Sequence, residues 1–311
     1  MNRTIILEMI LLLVVSACRP ECGSFAEEAP VHSVTVAHDE AVTGSRLYVC
    51  LSETGEMVAA FPSLSGECAF WLPDETYDFC AVANAPTLAS WYGTRDELLS
   101  AVTHLEDNAP ESFIMTGVLS DHVVREDEKI TVGVRRLAAM VTFTLRTDID
   151  SIAVFDRLFI RAAYLTNVVA SADVAGHPLP EGPWYHKMGF DGNGPVGMLR
   201  SEIGRTMGRC DSLASERALY AYPNTCPDCR DKSQWSPRRT RLVVEAQLDS
   251  VVTFYPVTFP EIKSNTHYHV DITIKYLGTE HPEDDPVDHR FASAVIRIEP
   301  WMSGPAHEWE I

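Results

Sequence analysis

The sequence predicts an all-β chain of antiparallel β-sandwich, and three observations predict it. Short runs of β-branched and aromatic residues recur at regular spacing, separated by turn residues. Several runs alternate apolar with polar residues, the pattern of a strand with one face in water. A single short helix interrupts them, where a parallel α/β sheet would need a helix after nearly every strand. With 311 residues, 46% of them hydrophobic, the chain suits two domains, each with its own core.

At the start, Arg3 precedes an apolar stretch from Ile5 to Val15, broken only by Glu8. At roughly ten residues it is too short to span a bilayer, which takes about 20. It has the form of a secretory signal over residues 1–17. Val15-Ser16-Ala17-Cys18 sets small residues before a thiol, similar to the lipobox of bacterial lipoproteins, where the cysteine is acylated and the chain cut just before it. Ordinary cleavage after Ala17, leaving Cys18 a simple thiol, is the alternative. Arg19-Pro20 ends the apolar run, and residues 18–30 read as a linker. No later segment is apolar enough to cross a membrane, so acyl chains on Cys18 would be the anchor, each buried methylene adding about 0.8 kcal/mol.

The first sandwich is expected over residues 31–135. Val34 and Val36 alternate with polar neighbours; Leu47 to Leu51 is a compact apolar run that Glu53-Thr54-Gly55-Glu56 turns into Met57 to Phe61. Cys68 to Leu72 ends at Pro73-Asp74-Glu75, and Tyr77 runs on to Asn84. Thr94 with Glu97 forms a capping-box pattern. Leu98, Ala101, Val102 and Leu105 follow on one helical face, and Asn108-Ala109-Pro110 stops it. Strands resume at Phe113 to Met115 and Lys129 to Val134, with a domain boundary near Arg135-Arg136.

The second sandwich is expected over residues 136–311. Val141, Phe143 and Leu145 alternate with Thr142, Thr144 and Arg146, and Leu158 to Leu165 is one strand. Residues 171–237 are rich in Gly, Pro and polar side chains and read as a long loop in which only Arg217 to Tyr222 looks strand-like. Strands return at Arg241 to Leu248, Val251 to Phe259, His267 to Tyr276 and Ala292 to Glu299, and a short tail, Trp301 to Ile311, closes the chain.

A net charge of −19, dispersed along the chain, offers no basic stripe for phosphates and excludes nucleic acid as the expected partner. Of eight cysteines, seven remain if Cys18 is acylated, an odd number that leaves at least one unpaired within the chain. Cys50 and Cys80 fall in apolar runs and read as buried inert thiols. Cys226-Pro227-Asp228-Cys229 is the sharpest motif. A redox dithiol should open a helix that lowers the thiol pKa, and zinc needs two further ligands, of which Cys210 would supply one. A local disulfide clipping the loop is the favoured reading, with redox and zinc as alternatives. His267 and His269, two apart on a strand, share a face that can hold a metal, but a solvent-facing pair is the simpler reading. Glu283, Asp284, Asp285 and Asp288 lack calcium-loop spacing and read as a solvated loop. No nucleophile signature or phosphate loop is present, so no catalytic residue, metal or cofactor is expected.

Several stretches, in this order, resemble the fimbrillin superfamily of Bacteroidales type V pili. They are the lipobox at Cys18; Leu47-Tyr48-Val49 with Gly55; Leu72-Pro73 and Tyr77 to Asn84; Phe113 to Gly117; Ile130 to Val132 with Arg136 to Ala139; Tyr220 to Asn224; and Asn265 to Ile274, with a Trp-bearing end. The resemblance implies two transthyretin-like sandwiches and a structural subunit of a surface fimbria, closest to the anchor or accessory class. It implies partners too: other subunits joined by strand exchange, and an outer membrane held through the lipid. In shaft subunits an arginine-specific protease removes the first strand, and here Arg46 and Arg125 are the candidate sites; anchors keep that strand. The donor strand is expected near the C-terminus, in Val295, Ile296, Ile298, Trp301 and Trp309. The rival reading is a surface lipoprotein that binds glycan or host protein through Trp184, Tyr185, Phe190 and Trp235 of the long loop.

Overall fold

A computed structural model describes residues 30–38, 44–63, 67–149, 158–228, 233–248, 250–285 and 292–301. Five strands come first: β1 (Val31–His38), β2 (Ser45–Leu51), β3 (Met57–Ser63), β4 (Glu67–Pro73) and β5 (Glu75–Ala83). Helix α1 (Arg95–Leu99), β6 (Val102–His104), a 3-10 turn at Leu105–Asp107, β7 (Met115–Val124), β8 (Glu128–Val132) and β9 (Arg135–Arg136) follow. They form two facing sheets, β4-β1-β8 and β3-β2-β5-β7-β9. Because strand side chains alternate in direction, Val34, Val36, Phe70, Leu72, Ile130 and Val132 of the first sheet meet Leu47, Val49, Tyr77, Phe79 and Ala81 of the second in one core. Gly117 on β7 lies so close to the link between β8 and β9 that a Cβ there would sit 2.0 Å from the Gly133 carbonyl oxygen.

The second sandwich repeats the plan. Its strands are β10 (Ala139–Thr147), β11 (Leu158–Thr166), β12 (Val168–Val169), β13 (Ser171–Asp173) and β14 (Trp184–Tyr185). Helix α2 (Val196–Leu199) precedes β15 (Arg200–Met207), β16 (Ser212–Ala214), β17 (Leu219–Ala221), β18 (Arg241–Leu248), β19 (Val251–Thr258), β20 (Thr266–Ile274) and β21 (Ala292–Pro300). One sheet runs from β16 and β17 through β10 and β20 to β21; the other is β15-β11-β18-β19. Val141, Phe143, Leu145, Tyr268, Val270 and Ile272 of the first bury against Leu158, Ile160, Leu242, Val244 and Tyr255 of the second. Each sandwich holds one parallel pair in an otherwise antiparallel plan: β1 with β8, and β10 with β20.

Three expectations are corrected. The helix does not reach Leu105: Thr94 caps it and Ser100 closes it, after which Val102–His104 pairs with Ser171–Asp173. β-Branched Val102 and Thr103 favour the strand, and the Thr103 hydroxyl donates to the Ala172 carbonyl at 2.9 Å. Residues 171–237 are not a structureless loop, for they carry β13 to β17 and α2. These strands are short, or, like β15, lie at a sheet edge where Arg200, Glu202 and Arg205 give little apolar signal. Glu283 does not project from a solvated loop: it is buried and paired with Arg238 at 3.2 Å, and Asn167 donates to its other oxygen at 2.8 Å.

The two sandwiches share the segment between α1 and β7. Leu105, Phe113 and Ile114 pack into the second core. Asn108 ties the crossing down, donating to the Tyr222 hydroxyl at 3.0 Å and accepting from the Ile114 amide at 2.9 Å. Tyr222 in turn donates to the His104 carbonyl at 3.1 Å.

Candidate strand-exchange site

β1 is the middle strand of its sheet. It pairs antiparallel with β4 from Val31↔Pro73 to Ala37↔Glu67, and parallel with β8 from Val34↔Glu128 to His38↔Val132. Its N-terminal end is held by polar contacts as well: His32 contacts Asp74, and the Ser33 amide donates to Asp127 at 2.8 Å. Taking β1 away would leave two unpaired backbone edges facing each other across a slot flanked by Phe70, Leu72, Ile130 and Val132 and floored by Leu47, Val49, Phe79 and Ala81 of the facing sheet. Such a slot accepts an extended segment whose backbone completes both ladders and whose alternate side chains fill the core.

Of the two candidate cleavage sites, Arg125 is exposed in the turn between β7 and β8. Arg46 is the second residue of β2, paired to Pro62 and Val82. Its guanidinium donates to the Leu88 and Ala89 carbonyls at 2.7 and 3.0 Å. It borders a cleft of about 430 Å³ together with Tyr48, Asn84, Pro86 and Asp107. A protease that needs an extended chain across its site would have to peel Ser45 and Arg46 away from both neighbours first.

The candidate donor strand, β21, runs antiparallel to β20 from Thr266↔Pro300 to Ile274↔Ala292 and has no strand on its other edge among the described residues. Ile296 packs on the second core, while Val295 and Ile298 are 61% and 54% exposed. Trp301 is anchored: it stacks on Tyr220 at 5.8 Å, meets Phe113 edge-on at 5.0 Å, and lies under the Arg136 guanidinium at 4.8 Å. Trp309 lies outside the described residues, as do Cys18, Cys229 and Asp288.

Cys226 is half-buried, its amide donating to the Asn224 side chain at 3.0 Å. Burial, and then the charge of Glu181, push its thiol pKa up, opposite to what a redox thiol needs. His267 and His269 do share the outer face of β20. Both contact the Thr142 hydroxyl, at 2.7 and 2.8 Å, and His269 also reaches Thr144 at 3.1 Å. Burial holds both imidazoles below their usual pKa. Among the described residues, no three His, Cys, Asp or Glu side chains are grouped to hold a metal.

Of the aromatic residues of the rival reading, one is buried, and Tyr185, Phe190 and Trp235 are half-buried. Trp184 is buried, donates to the Pro180 carbonyl at 2.8 Å and meets Trp235 at 5.3 Å. Phe190 lies against Tyr164 and His186, with the Arg200 guanidinium 4.5 Å above it. Sequence reasoning passed over Asp78, a fully buried carboxylate in β5. Burial alone would raise its pKa, but the Ser52 hydroxyl at 2.7 Å, the Asp121 amide at 2.8 Å and the Arg95 guanidinium hold it below the ordinary carboxylate range. A polar residue inside YDFCAVAN was the available signal.

No family model matches the chain, and no curated protein matches it in sequence. Solved structures do match. A cell adhesion protein of Bacteroides eggerthii superposes with a TM-score of 0.64 at 15% identity, over 90% of this chain and 98% of that one. A fimbrilin of Porphyromonas gingivalis gives a TM-score of 0.64 at 12% identity, over 87% and 97%. The tip fimbrial protein Mfa3 of Porphyromonas gingivalis gives 0.57 at 15%, over 88% and 100%. At 12–15% identity these likenesses show the fold, shared across nearly the full length of both chains.

Proposed function

We propose that this chain is a structural subunit of a cell-surface fimbria, in the anchor or accessory class, held to the outer membrane by acylated Cys18 and joined to neighbouring subunits by strand exchange. The observation that carries the reading is β1, a strand of the chain's own N-terminal segment lodged between β4 and β8. While it stays there, the first sandwich is complete and offers an incoming strand no slot. A subunit of that kind ends a fibre on the side facing the membrane. At the opposite end of the sequence β21 is an edge strand of its sheet among the described residues, and it is where a neighbour would join. The fold shared with a fimbrilin and a tip fimbrial protein supports this assignment.

The test is shearing. Fimbriae sheared from cells that express the wild-type chain should leave it with the membrane, while Cys18→Ala should release it, together with attached fimbriae, into the medium. A Cys18→Ala chain that stays membrane-bound, or a wild-type chain absent from fimbria-bearing membrane, would overturn the anchor reading.

A further inference from the structure

The cleft of about 430 Å³ beside Arg46 has the size of a small-ligand site. It lies on the face of the five-stranded sheet that turns away from the core of the first sandwich. Tyr48 and Val82 line it and pack with Leu88 and Leu98 in a separate apolar cluster, whereas Leu47 and Ala81 belong to the core. Side chains alternate along a strand, so the cleft and the strand-exchange slot lie on opposite faces of one sheet. The walls of the cleft are fixed. Arg46 donates to the Leu88 and Ala89 carbonyls at 2.7 and 3.0 Å, and the Tyr48 hydroxyl to the Ala89 carbonyl at 2.9 Å. Asn84 donates to the Phe113 carbonyl at 2.9 Å, and the Thr87 hydroxyl to one oxygen of Asp107 at 3.0 Å. These bonds hold the loop after β5 against the crossing between the two sandwiches, a junction of the kind that ligand sites favour.

Several polar groups that line the cleft are left over from this scaffold. Among the described residues, Nε and Nη2 of Arg46, the second carboxylate oxygen of Asp107 and the Ser112 hydroxyl make no hydrogen bond. A guanidinium and a carboxylate in one cleft select against charge of either sign, since Arg46 repels a cation and Asp107 an anion. A hydroxyl both donates and accepts, so a ligand with neighbouring hydroxyls answers both groups at once, and the fork of an arginine takes two acceptors together. The rest of the wall, with Pro62, Val82, Pro86 and Leu88, offers apolar surface for C–H groups. An extended peptide that adds to a sheet needs a free backbone edge, and β2 and β5 are each paired on both sides.

We propose that this cleft binds a neutral sugar residue, with its hydroxyls on Arg46, Asp107 and Ser112 and its C–H face on the apolar wall. The long loop of the second sandwich takes no part in it. The site exists only while the chain keeps Arg46, so it rests on the reading above that the N-terminal segment is retained.

The experiment is saturation-transfer NMR followed by titration calorimetry on the full chain purified from its own membrane, with its mass measured first. The probes are glucose, galactose, mannose, fucose and N-acetylglucosamine, set against glucuronic acid, inorganic phosphate, arginine and glycine. Saturable binding of at least one neutral sugar is expected. Asp107→Asn keeps an acceptor for Thr87 and turns the second oxygen into a donor; it should weaken binding about tenfold or more, the worth of a hydrogen bond to a charged group, with the thermal midpoint unchanged. Ser112→Ala, at a half-buried hydroxyl outside the scaffold bonds, should weaken it less. No binding by any of the five sugars, tighter binding of one of the four other probes, or a sugar affinity indifferent to both variants would overturn the proposal. Binding lost with Trp184→Ala and kept with Asp107→Asn would overturn it too, and would put the ligand on the long loop. A chain whose mass includes Arg46 and that fails to bind sinks the sugar site alone; a chain that begins at Leu47 sinks the retention of the N-terminal segment, and the site with it.

Discussion

Asp78 fastens α1 to the sheet beneath it. Its carboxylate is wholly buried and takes hydrogen bonds from Ser52, from the Asp121 backbone and from Arg95, the first residue of the helix. Asp78→Ala would leave those donors without their acceptor, and a loss of about 3 kcal/mol is expected in urea unfolding, since hydrogen bonds to charged groups contribute about 1.5–3 kcal/mol each. The sign with pH follows from the lowered pKa. The contribution is complete above the unfolded carboxylate value, about 3.9, and fades as pH falls through the lower folded value. Asp78→Asn should flatten the acid side of the stability curve. His267 and His269 act in a higher window. Their folded pKa values are depressed, so their contribution is whole above about 6.5 and is lost as pH falls through the folded values. The charged groups around them are Asp271 on β20 and Arg297 and Glu299 on β21, with Thr142 and Thr144 of β10 as neutral partners. Unfolding followed between about pH 7 and pH 5 should show a decline in the wild type that His267→Gln/His269→Gln reduces; an unchanged slope would remove the pair from any role in acid sensitivity.

At the scale of elements, long apolar or alternating strands were legible, edge strands such as β19 and β21 included, and very short or mostly polar ones were not. Val34 and Val36, and Val141, Phe143 and Leu145, announce themselves by alternation because each faces a second sheet, and Leu47 to Leu51 by a continuous apolar run buried on both faces. β12 and β13 are buried but only two and three residues long, too short for a pattern to form, and β15 is mostly polar and exposed. The α1 segment misled for a different reason: Leu98, Ala101 and Leu105 do sit at helical spacing, but Leu105 belongs to the second core and Thr103 to a β-ladder with β13. Contacts with residues some 70 positions away in sequence, roughly the separation of Thr103 and Ala172, override local propensity. β21 was legible as a strand, whereas its pairing with β20 and the seat of Trp301 on Phe113 and Tyr220 were not. That seat sharpens the test of the tail. Removing residues 302–311 keeps Trp301 in place, so thermal melting should be unchanged while co-purification with fimbriae is lost. Retained incorporation would mean that neighbours do not meet the chain through its C-terminal tail.

For the molecule as a whole, the same device is used twice. Each sandwich starts with a strand that lies in the middle of a sheet beside a parallel partner, β1 next to β8 and β10 next to β20. In the second sandwich β10 is tied into one continuous chain and hydrogen-bonded on both sides. In the first, β1 is likewise paired on both sides, with β4 and β8, and under the proposed function its retention would separate a closed end piece from a subunit open to a donor. Net charge of −19 favours repulsion between copies, so under the proposed function specific strand pairing would have to bring subunits together. The most direct measurement is the mass and N-terminal residue of the mature chain extracted from its own membrane. The account predicts a chain that begins at acylated Cys18 and therefore retains β1. A chain that begins at Leu47 or Glu126 would contradict it, and would place the protein in the shaft or tip of the fibre.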